Sequence, residues 1–596
     1  MPLHKSTRFL ALATDFDGTI AHEGKVSADT IAAMKRLTAS GRKLILVTGR
    51  ELTEFLGIFP EPALFDWIVA ENGALLYNPH TKEEKLLGKL PPSDFLRRIK
   101  EKGVEPVNLG KVIVATWEPH ETAILETIRE LGLELQVIFN KGAVMVLPAG
   151  VNKATGLTAA LKEMGLSPHN VVGVGDAEND HAFLKMCECS AAVSNALPKV
   201  KERVDITLKQ DHGEGVTELI DAMLADDLQS FEHRLERYHV LLGTDKDGQK
   251  LRIRPHGMSI LVAGSSGAGK STLTTGLLER ISELTYQLCI IDPEGDYDNF
   301  SQAVSIGNQK HAPATDEVLQ LVRNVDGNAN INLIGQKLQE RPGFFLELLP
   351  RLLEMRHQTA RPHWIVVDEA HHMLPGPWDF DALRYMEELE RMIYITLMPS
   401  AMPPVILETI DIVVAVGNKP EETIRNFCDT IGIVPPRMNA TKLERGQALV
   451  WERESDEGPR VITPPETKTV RKRHSRKYAE GELIPERSFY FRGPEEKLNL
   501  RAQNLILFTQ IGDGVDEATW MFHLKKHDYS KWFKEQIKDG DLGDKAHAIE
   551  SDETIDAAES RKRIREAIEE HYTLPGIPLT MSSSGERKRK EEPGTA

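Results

Sequence analysis

Short apolar runs that stop abruptly at an acid, a glycine or a threonine recur along this 596-residue chain, and they constrain its fold more than any other feature. Between Phe9 and Asp227 the runs are FLALATD, KLILVTG, WIVAENG and VVGVGD, each followed by polar or helical sequence. Apolar runs of this kind alternating with amphipathic lengths predict strands buried on both faces, and therefore an α/β fold with a parallel sheet. From about Thr81 to Gly150 the pattern changes. A helix (SDFLRRIKEK), a strand (VIVATW), a second helix (ETAILETIREL) and two strands (LELQVIF, AVMVLP) predict a small α+β unit inserted into the first domain. A second α/β series, MSILVAG, YQLCIID, INLIG, WIVVDEA, MIYITLM and DIVVAVG, runs from near Leu241 to near Thr463.

These patterns divide the chain into a first domain over 1–227 (core 1–80 and 151–227, insert 81–150) and a second over 228–466. A basic linker follows over 467–493, then a small helical region over 494–576 and a polar tail over 577–596, which its composition predicts to be disordered. A chain this long exceeds what one hydrophobic core supports. Trp520, Phe522, Tyr529, Trp532 and Phe533 in the helical region read as a small core of its own. The formal net charge of -17 argues against a grip on nucleic acid over the whole surface, while leaving room for a local basic channel. The four cysteines (Cys187, Cys189, Cys289, Cys428) form no disulfide framework or zinc spacing and are expected as buried free thiols. The N-terminal apolar run ends in acids rather than in a small-residue cleavage site, and no apolar stretch reaches the length of a membrane span. A cytoplasmic protein without membrane contact is the expectation.

Asp15-Phe16-Asp17-Gly18-Thr19 directly follows the first strand-like run. In a parallel sheet the carboxyl ends of strands are where ligands bind. One carboxylate, Asp15, can attack phosphorus while Asp17 handles the leaving-group proton. Three further elements follow in the order this chemistry requires. Thr48 ends LILVT before Gly49 and can hold a phosphoryl oxygen with nearby backbone N–H groups. Lys153 opens a helix after the insert and can neutralise charge on Asp15 and on the transferring group. Asp176 and Asp180, in GDAEND, supply hard oxygen ligands for Mg²⁺ together with Asp15 and Asp17.

DFDGT, VTGR, NKATGL and GDAEND resemble the four motifs of the haloacid dehalogenase superfamily, and the insert resembles the cap of its type II-B branch. The resemblance covers about the first 227 residues. It implies a Rossmannoid core with an α+β cap, a phosphoaspartyl intermediate on Asp15, Asp17 as acid and then base, and Asn179 and Gly49 as supporting residues around the site. The implied substrate is a small phosphorylated metabolite, a sugar phosphate or a phosphoglycolate-like molecule. The short cap resembles that of the archaeal phosphoglycolate phosphatases.

Gly264-Ser265-Ser266-Gly267-Ala268-Gly269-Lys270-Ser271 matches GxxxxGK[ST] between the run MSILVA and the helix KSTLTTGLLERI, a segment that includes Thr272. In that context the glycines let backbone N–H groups face phosphates, Lys270 reaches the terminal phosphates, and Ser271 can ligate Mg²⁺. WIVVDEAHH places Asp368 to hold Mg²⁺ through water and Glu369 to polarise an attacking water. His371 and His372 read as polar residues after the strand. The set GSSGAGKS, IIDPEGDY and VVDEAHH resembles the HerA/FtsK-like ATPases. That resemblance implies a RecA-like P-loop NTPase domain binding ATP and a homo-oligomer such as a ring. Where those ATPases carry a polar glutamine-type sensor, this chain has Leu397, which cannot hydrogen-bond a γ-phosphate or its water.

Three functions compete at this point. One is a phosphomonoester hydrolase fused to an ATP-binding and ATP-hydrolysing domain. The second is a polynucleotide kinase/phosphatase-type end-processing enzyme. The third is a nucleotide-gated oligomeric scaffold.

Overall fold

The computed structural model of the chain describes residues 7–140, 142–265, 268–308, 310–337, 339–374, 389–438, 440–455, 457–469, 483, 485–537, 539–552 and 554–571. Two compact units divide it, Met1–Thr469 and Val470–Ala596. About half of the expected basic linker, and the whole of the expected polar tail, fall outside the described residues.

The first sheet of the larger unit has eight strands. From one edge they are Ile206–Thr207, Cys189–Ala192, Val171–Gly175, Ala11–Thr14, Lys43–Val47, Trp67–Ala70, Leu75–Tyr77 and Glu84–Leu86. The first six run parallel, and the last two turn back antiparallel. Strand residues such as Leu12, Leu44, Ile45, Ile68 and Val172 are fully buried, as the unbroken apolar runs require. Glu84–Leu86, read from sequence as part of the insert, pairs instead with Leu75–Tyr77 and extends this core sheet. The insert proper is a four-stranded antiparallel sheet of Asn108–Leu109, Val114–Trp117, Ala143–Pro148 and Leu135–Asn140. Phe95 and Ile99 of the helix Ser93–Glu101 and Ile124 of the helix Glu121–Leu131 pack on it.

An eleven-stranded sheet forms the second domain of the same unit. Its parallel part runs Ile412–Val416, Ile260–Gly264, Met392–Thr396, Trp364–Val367, Leu288–Asp292, Ala329–Asn332 and Val304–Ile306. Four antiparallel strands extend it: Ala448–Glu452, Arg460–Thr463, Val240–Asp245 and Lys250–Ile253.

The two domains meet over buried charge. Glu188 follows the helix His181–Met186 and is buried. It accepts from Arg8 Nη2 at 2.5 Å, from Tyr286 Oη at 2.9 Å, and from His169 Nδ1. Burial alone would raise its pKa, but Arg8 and His169 outweigh that and hold it well below the usual carboxylate range. His169 stacks on Tyr286 with ring centroids 3.8 Å apart, and its Nε2 lies 2.7 Å from Leu284 O. Arg361 Nη2 donates to Gly165 O at 2.7 Å.

The smaller unit holds an antiparallel hairpin, Phe489–Phe491 with Leu500–Ala502, and the helices Leu505–Gly514, Glu517–Lys525, Asp528–Glu535, Gly540–Glu550 and Ala557–His571. Leu500–Ala502 falls in the region read as helical from Pro494 onward, and Phe489–Phe491 falls in the stretch read as a linker. Phe489 and Phe491 alternate with the half-exposed Tyr490, a period-two pattern that buries one face of a strand. Of the predicted aromatic core, Trp520, Tyr529, Trp532 and Phe533 are buried together, while Phe522 is only partly buried. All four cysteines are buried free thiols. No helix among the described residues is long and apolar enough to cross a membrane.

The helix Lys153–Met164 lies so close to the neighbouring strand that Gly156 has no room for a side chain. An added Cβ would stand 2.4 Å from Val69 Cγ1 and 2.7 Å from Gly73 Cα. Gly156→Ala should therefore lower the stability of the first domain by about 1–3 kcal/mol, measured as a shift in its urea midpoint. Gly57→Ala, with nothing within 4 Å, is the control and should shift it by less than about 1 kcal/mol. Equal midpoints for the two variants would contradict this packing.

Candidate active site

Four strand ends of the first sheet converge on one buried point. Asp15 follows Ala11–Thr14, Thr48 follows Lys43–Val47, Asn72 follows Trp67–Ala70, and Asp176 follows Val171–Gly175. Lys153 is the first residue of the helix Lys153–Met164, whose N-cap Asn152 accepts from the backbone N–H groups of Ala154 and Thr155. This cap points the buried ammonium of Lys153 at two carboxylates, Asp15 Oδ1 and Asp180 Oδ1, each at 2.5 Å.

Carboxylate oxygens of Asp15, Asp176 and Asp180 all lie within 4.8 Å of one another. Thr19 Oγ1 stands between two of them, 3.3 Å from Asp15 Oδ2 and 3.2 Å from Asp176 Oδ1. The other oxygen of Asp180 accepts from the backbone N–H groups of Asp176 and Ala177, both at 2.9 Å. Burial and the charge of Asp180 push the Asp15 carboxyl up to about 7, against the pull of Lys153. Burial would lower the Lys153 pKa, but Asp15 and Asp180 raise it above the ordinary lysine value. Three buried carboxylates face one ammonium, and every donor in the set is a hard oxygen. The residues fit a divalent cation of the Mg²⁺ class.

Asp17 stands outside this trio, which corrects its expected place as a fourth carboxylate ligand. Its carboxylate is partly exposed and takes a two-pronged ion pair from Arg50, at 2.6 Å from Nε and 2.7 Å from Nη2. Thr48 is buried, and its Oγ1 accepts from Arg50 N at 3.1 Å. A Cβ on Gly49 would come 3.7 Å from Asn179 Nδ2 and 3.9 Å from Met145 Sδ, so the cap sheet reaches the loop after Thr48. Asn179 Nδ2 donates to Asn72 Oδ1 at 3.1 Å. Buried Glu71 anchors the cap by accepting the backbone N–H groups of Lys111, Val112 and Ile113 at 2.8–3.0 Å.

Thr19, Arg50, Glu71 and Asn72 escaped the reading of the sequence. Asn72 had a usable signal: it follows a strand end, like Asp15 and Asp176. Thr19 lies within DFDGT and Arg50 within VTGR, but their contacts with Asp176 and Asp17 join positions distant in the chain, as do those of Glu71.

In the second domain Gly264 closes the strand Ile260–Gly264 with φ +155, where a Cβ would meet Val416 O at 2.3 Å. Gly269, at φ +98, caps the helix Lys270–Glu283, with Ser271 and Thr272 in its first turn. Ser266 and Gly267 lie outside the described residues. Lys270 Nζ rests on the carbonyl oxygens of Gly264 (2.8 Å) and Ser265 (3.2 Å). Ala268 N closes the loop on Ser265 O at 3.2 Å. Asp368 is buried at the end of Trp364–Val367, and its Oδ1 accepts from Glu369 N at 2.9 Å. Burial lowers the Lys270 pKa, while Glu369 and Asp368 pull it the other way. A glycine cradle, a helix N-terminus and a buried lysine together fit the phosphates of a nucleotide.

Two families match the chain. Haloacid dehalogenase-like hydrolase matches residues 12–105 and 98–220, and Helicase HerA, central domain, matches residues 242–394. A phosphoglycolate phosphatase of Methanothermobacter thermautotrophicus is 30% identical over 219 residues, covering 35% of this chain and 96% of that protein. Phosphoglycolate phosphatase 2 of Saccharolobus solfataricus is 26% identical over 227 residues, covering 36% of this chain and 93% of that protein. A crystal structure of a haloacid dehalogenase-like hydrolase from Bacteroides thetaiotaomicron superposes with a TM-score of 0.33 at 20% identity, covering 36% of this chain and 99% of that one.

The raised Asp15 pKa has a consequence for stability. The folded chain keeps a proton that the unfolded chain, with an ordinary carboxyl near 3.8, gives up. In chelator, this contribution is complete below about pH 4 and is lost as pH rises through about 7. The melting temperature of the first domain should fall over that window, and Asp15→Asn should flatten the fall. A slope identical in the variant would show that other groups cause it.

Proposed function

We propose, from the premise that this chain belongs to the haloacid dehalogenase-like hydrolases and carries a HerA-type domain after that one, that it hydrolyses a small phosphomonoester at Asp15. The observation that carries the reading is the Lys153 ammonium held between Asp15 and Asp180 with Asp176 beside them, under a cap anchored by Glu71. A carboxylate oxygen of Asp15 attacks phosphorus, and the bond from phosphorus to the substrate's alkoxy oxygen breaks. Asp17, oriented by Arg50, gives the leaving oxygen its proton. Water then attacks the aspartyl phosphate and loses its proton to Asp17, releasing phosphate and regenerating Asp15. The Thr48 hydroxyl and the backbone N–H groups after it donate to phosphoryl oxygens, and Lys153 offsets the charge that collects on them. Mg²⁺, held by Asp15, Asp176 and Asp180, would supply further charge neutralisation between nucleophile and phosphate. The relatives' names support a phosphoglycolate-like substrate.

The second domain, in the same reading, binds ATP through Gly264, Ser265, Ala268, Gly269, Lys270 and the helix start at Ser271 and Thr272. Asp368 would hold the nucleotide's Mg²⁺ through water, and Glu369 would polarise the attacking water. HerA-type domains support assembly into a homo-oligomer and hydrolysis of ATP.

With Mg²⁺ and phosphoglycolate, the purified chain should release inorganic phosphate, and Asp15→Asn should lower kcat by at least about 10³-fold while ATP binding persists. Normal turnover by that variant would sink the assignment. Lys270→Ala should weaken ATP binding at least about tenfold, read by calorimetry. Transfer of labelled phosphate from ATP to a 5′-hydroxyl oligonucleotide would favour end processing instead.

A further inference from the structure

In the smaller unit, one helix and the turn between two others bring His527, His547 and Glu550 together. His527 sits between Glu517–Lys525 and Asp528–Glu535 with φ +55, while His547 and Glu550 stand three apart on one face of Gly540–Glu550. One ring nitrogen from each histidine and one carboxylate oxygen lie within 4.8 Å of one another. The Glu550 side chain is fully buried. Its Oε1 accepts the backbone N–H groups of Tyr529 (3.0 Å) and Ser530 (3.1 Å), which fixes the carboxylate. Its Oε2 stands 3.4 Å from His527 Nδ1, yet both atoms are buried without a hydrogen-bond partner. No lysine or arginine among the described residues forms an ion pair with Glu550.

The spacing is informative. A charge-assisted hydrogen bond would close to about 2.7–2.9 Å. Two ligands of one tetrahedral ion with bonds of about 2.0–2.1 Å stand about 3.3 Å apart, close to what is seen here. His523 in the same unit shows the settled alternative. Its Nδ1 lies 2.8 Å from Asp528 Oδ2, and its Nε2 accepts Arg492 N at 3.0 Å. We propose that His527, His547 and Glu550 form a metal site for Zn²⁺. Two imidazoles and one carboxylate suit a borderline transition ion, whereas Mg²⁺ and Ca²⁺ take six or more oxygens. The amides of Tyr529 and Ser530 orient the carboxylate from behind, as outer partners of metal ligands do. His547 is exposed, so a fourth position opens to solvent. Binding ties the turn at His527 to the helix Gly540–Glu550 and stabilises the folded unit by mass action.

The test uses the full chain stripped with chelator and titrated with Co²⁺ and then with Zn²⁺. Asp15→Asn serves as background, to remove the oxygen site of the first domain. The expected result is the visible d–d absorption of low-coordinate cobalt, abolished by one equivalent of Zn²⁺. His547→Ala, on an exposed position and with an unchanged far-ultraviolet circular dichroism spectrum, should lose the bands and bind Zn²⁺ at least about tenfold more weakly. Glu550→Gln should behave likewise. The same bands and Zn²⁺ stoichiometry in His547→Ala, or no such bands in the unsubstituted protein, would overturn the proposal.

Discussion

A single buried ammonium facing three buried carboxylates governs the first domain. Lys153 can reach both Asp15 and Asp180 because the ammonium is a compact point charge on a flexible stem, whereas a planar guanidinium would favour one partner. Its position depends on the start of one helix. That start is fixed by the Asn152 cap and by Gly73, whose missing side chain lets Asn152 O come within 1.9 Å of where a Cβ would stand. The negative charge that Lys153 leaves uncompensated is what suits the same pocket to a cation. Structure and chemistry here have one cause.

The second domain is joined to this arrangement by charge as well as by sequence. The helix that begins at Lys270 ends beside Leu284 and Tyr286, where His169 and Glu188 of the first domain receive it. Val171–Gly175, the strand that leads into Asp176, begins two residues after His169. Removing one member of a buried ionic network costs about 3–5 kcal/mol because it strands the other charges. The elements that carry Asp176 and Lys270 therefore meet at this buried network.

Much of this was legible because strands of a parallel sheet announce themselves as apolar runs, and their carboxyl ends collect chemistry. Asp15, Thr48, Asp176, Gly264 and Asp368 each stand at such an end. Arg50 was not legible, since its pairing with Asp17 spans 33 positions, and Thr19 meets Asp176 across 157. No local pattern encodes contacts of that kind. Lys250–Ile253 alternates exposed and buried residues, and Val240–Asp245 runs into half-buried polar ones, so neither gave a long apolar run. His547 and Glu550 had helical spacing in plain view, but their partner His527 lies beyond a helix and a turn, and the aromatic core drew the reading of that region.

The nucleotide half turns on what stands where a polar sensor was expected. Leu397 follows the strand Met392–Thr396 and offers no hydrogen bond. Thr396, one residue earlier and fully buried, has its Oγ1 3.3 Å from His371 Nδ1, and the same nitrogen lies 3.5 Å from Glu369 Oε2. Burial, with the charges of His372 and Lys270, lowers the His371 pKa to about 4, so the imidazole is neutral at physiological pH. A neutral imidazole has one donor and one acceptor, and from this place it touches the residue expected to polarise water. The strand ends around Lys270 thus keep a polar side chain between the acid and the neighbouring strand, supplied from the segment after Asp368 rather than from position 397.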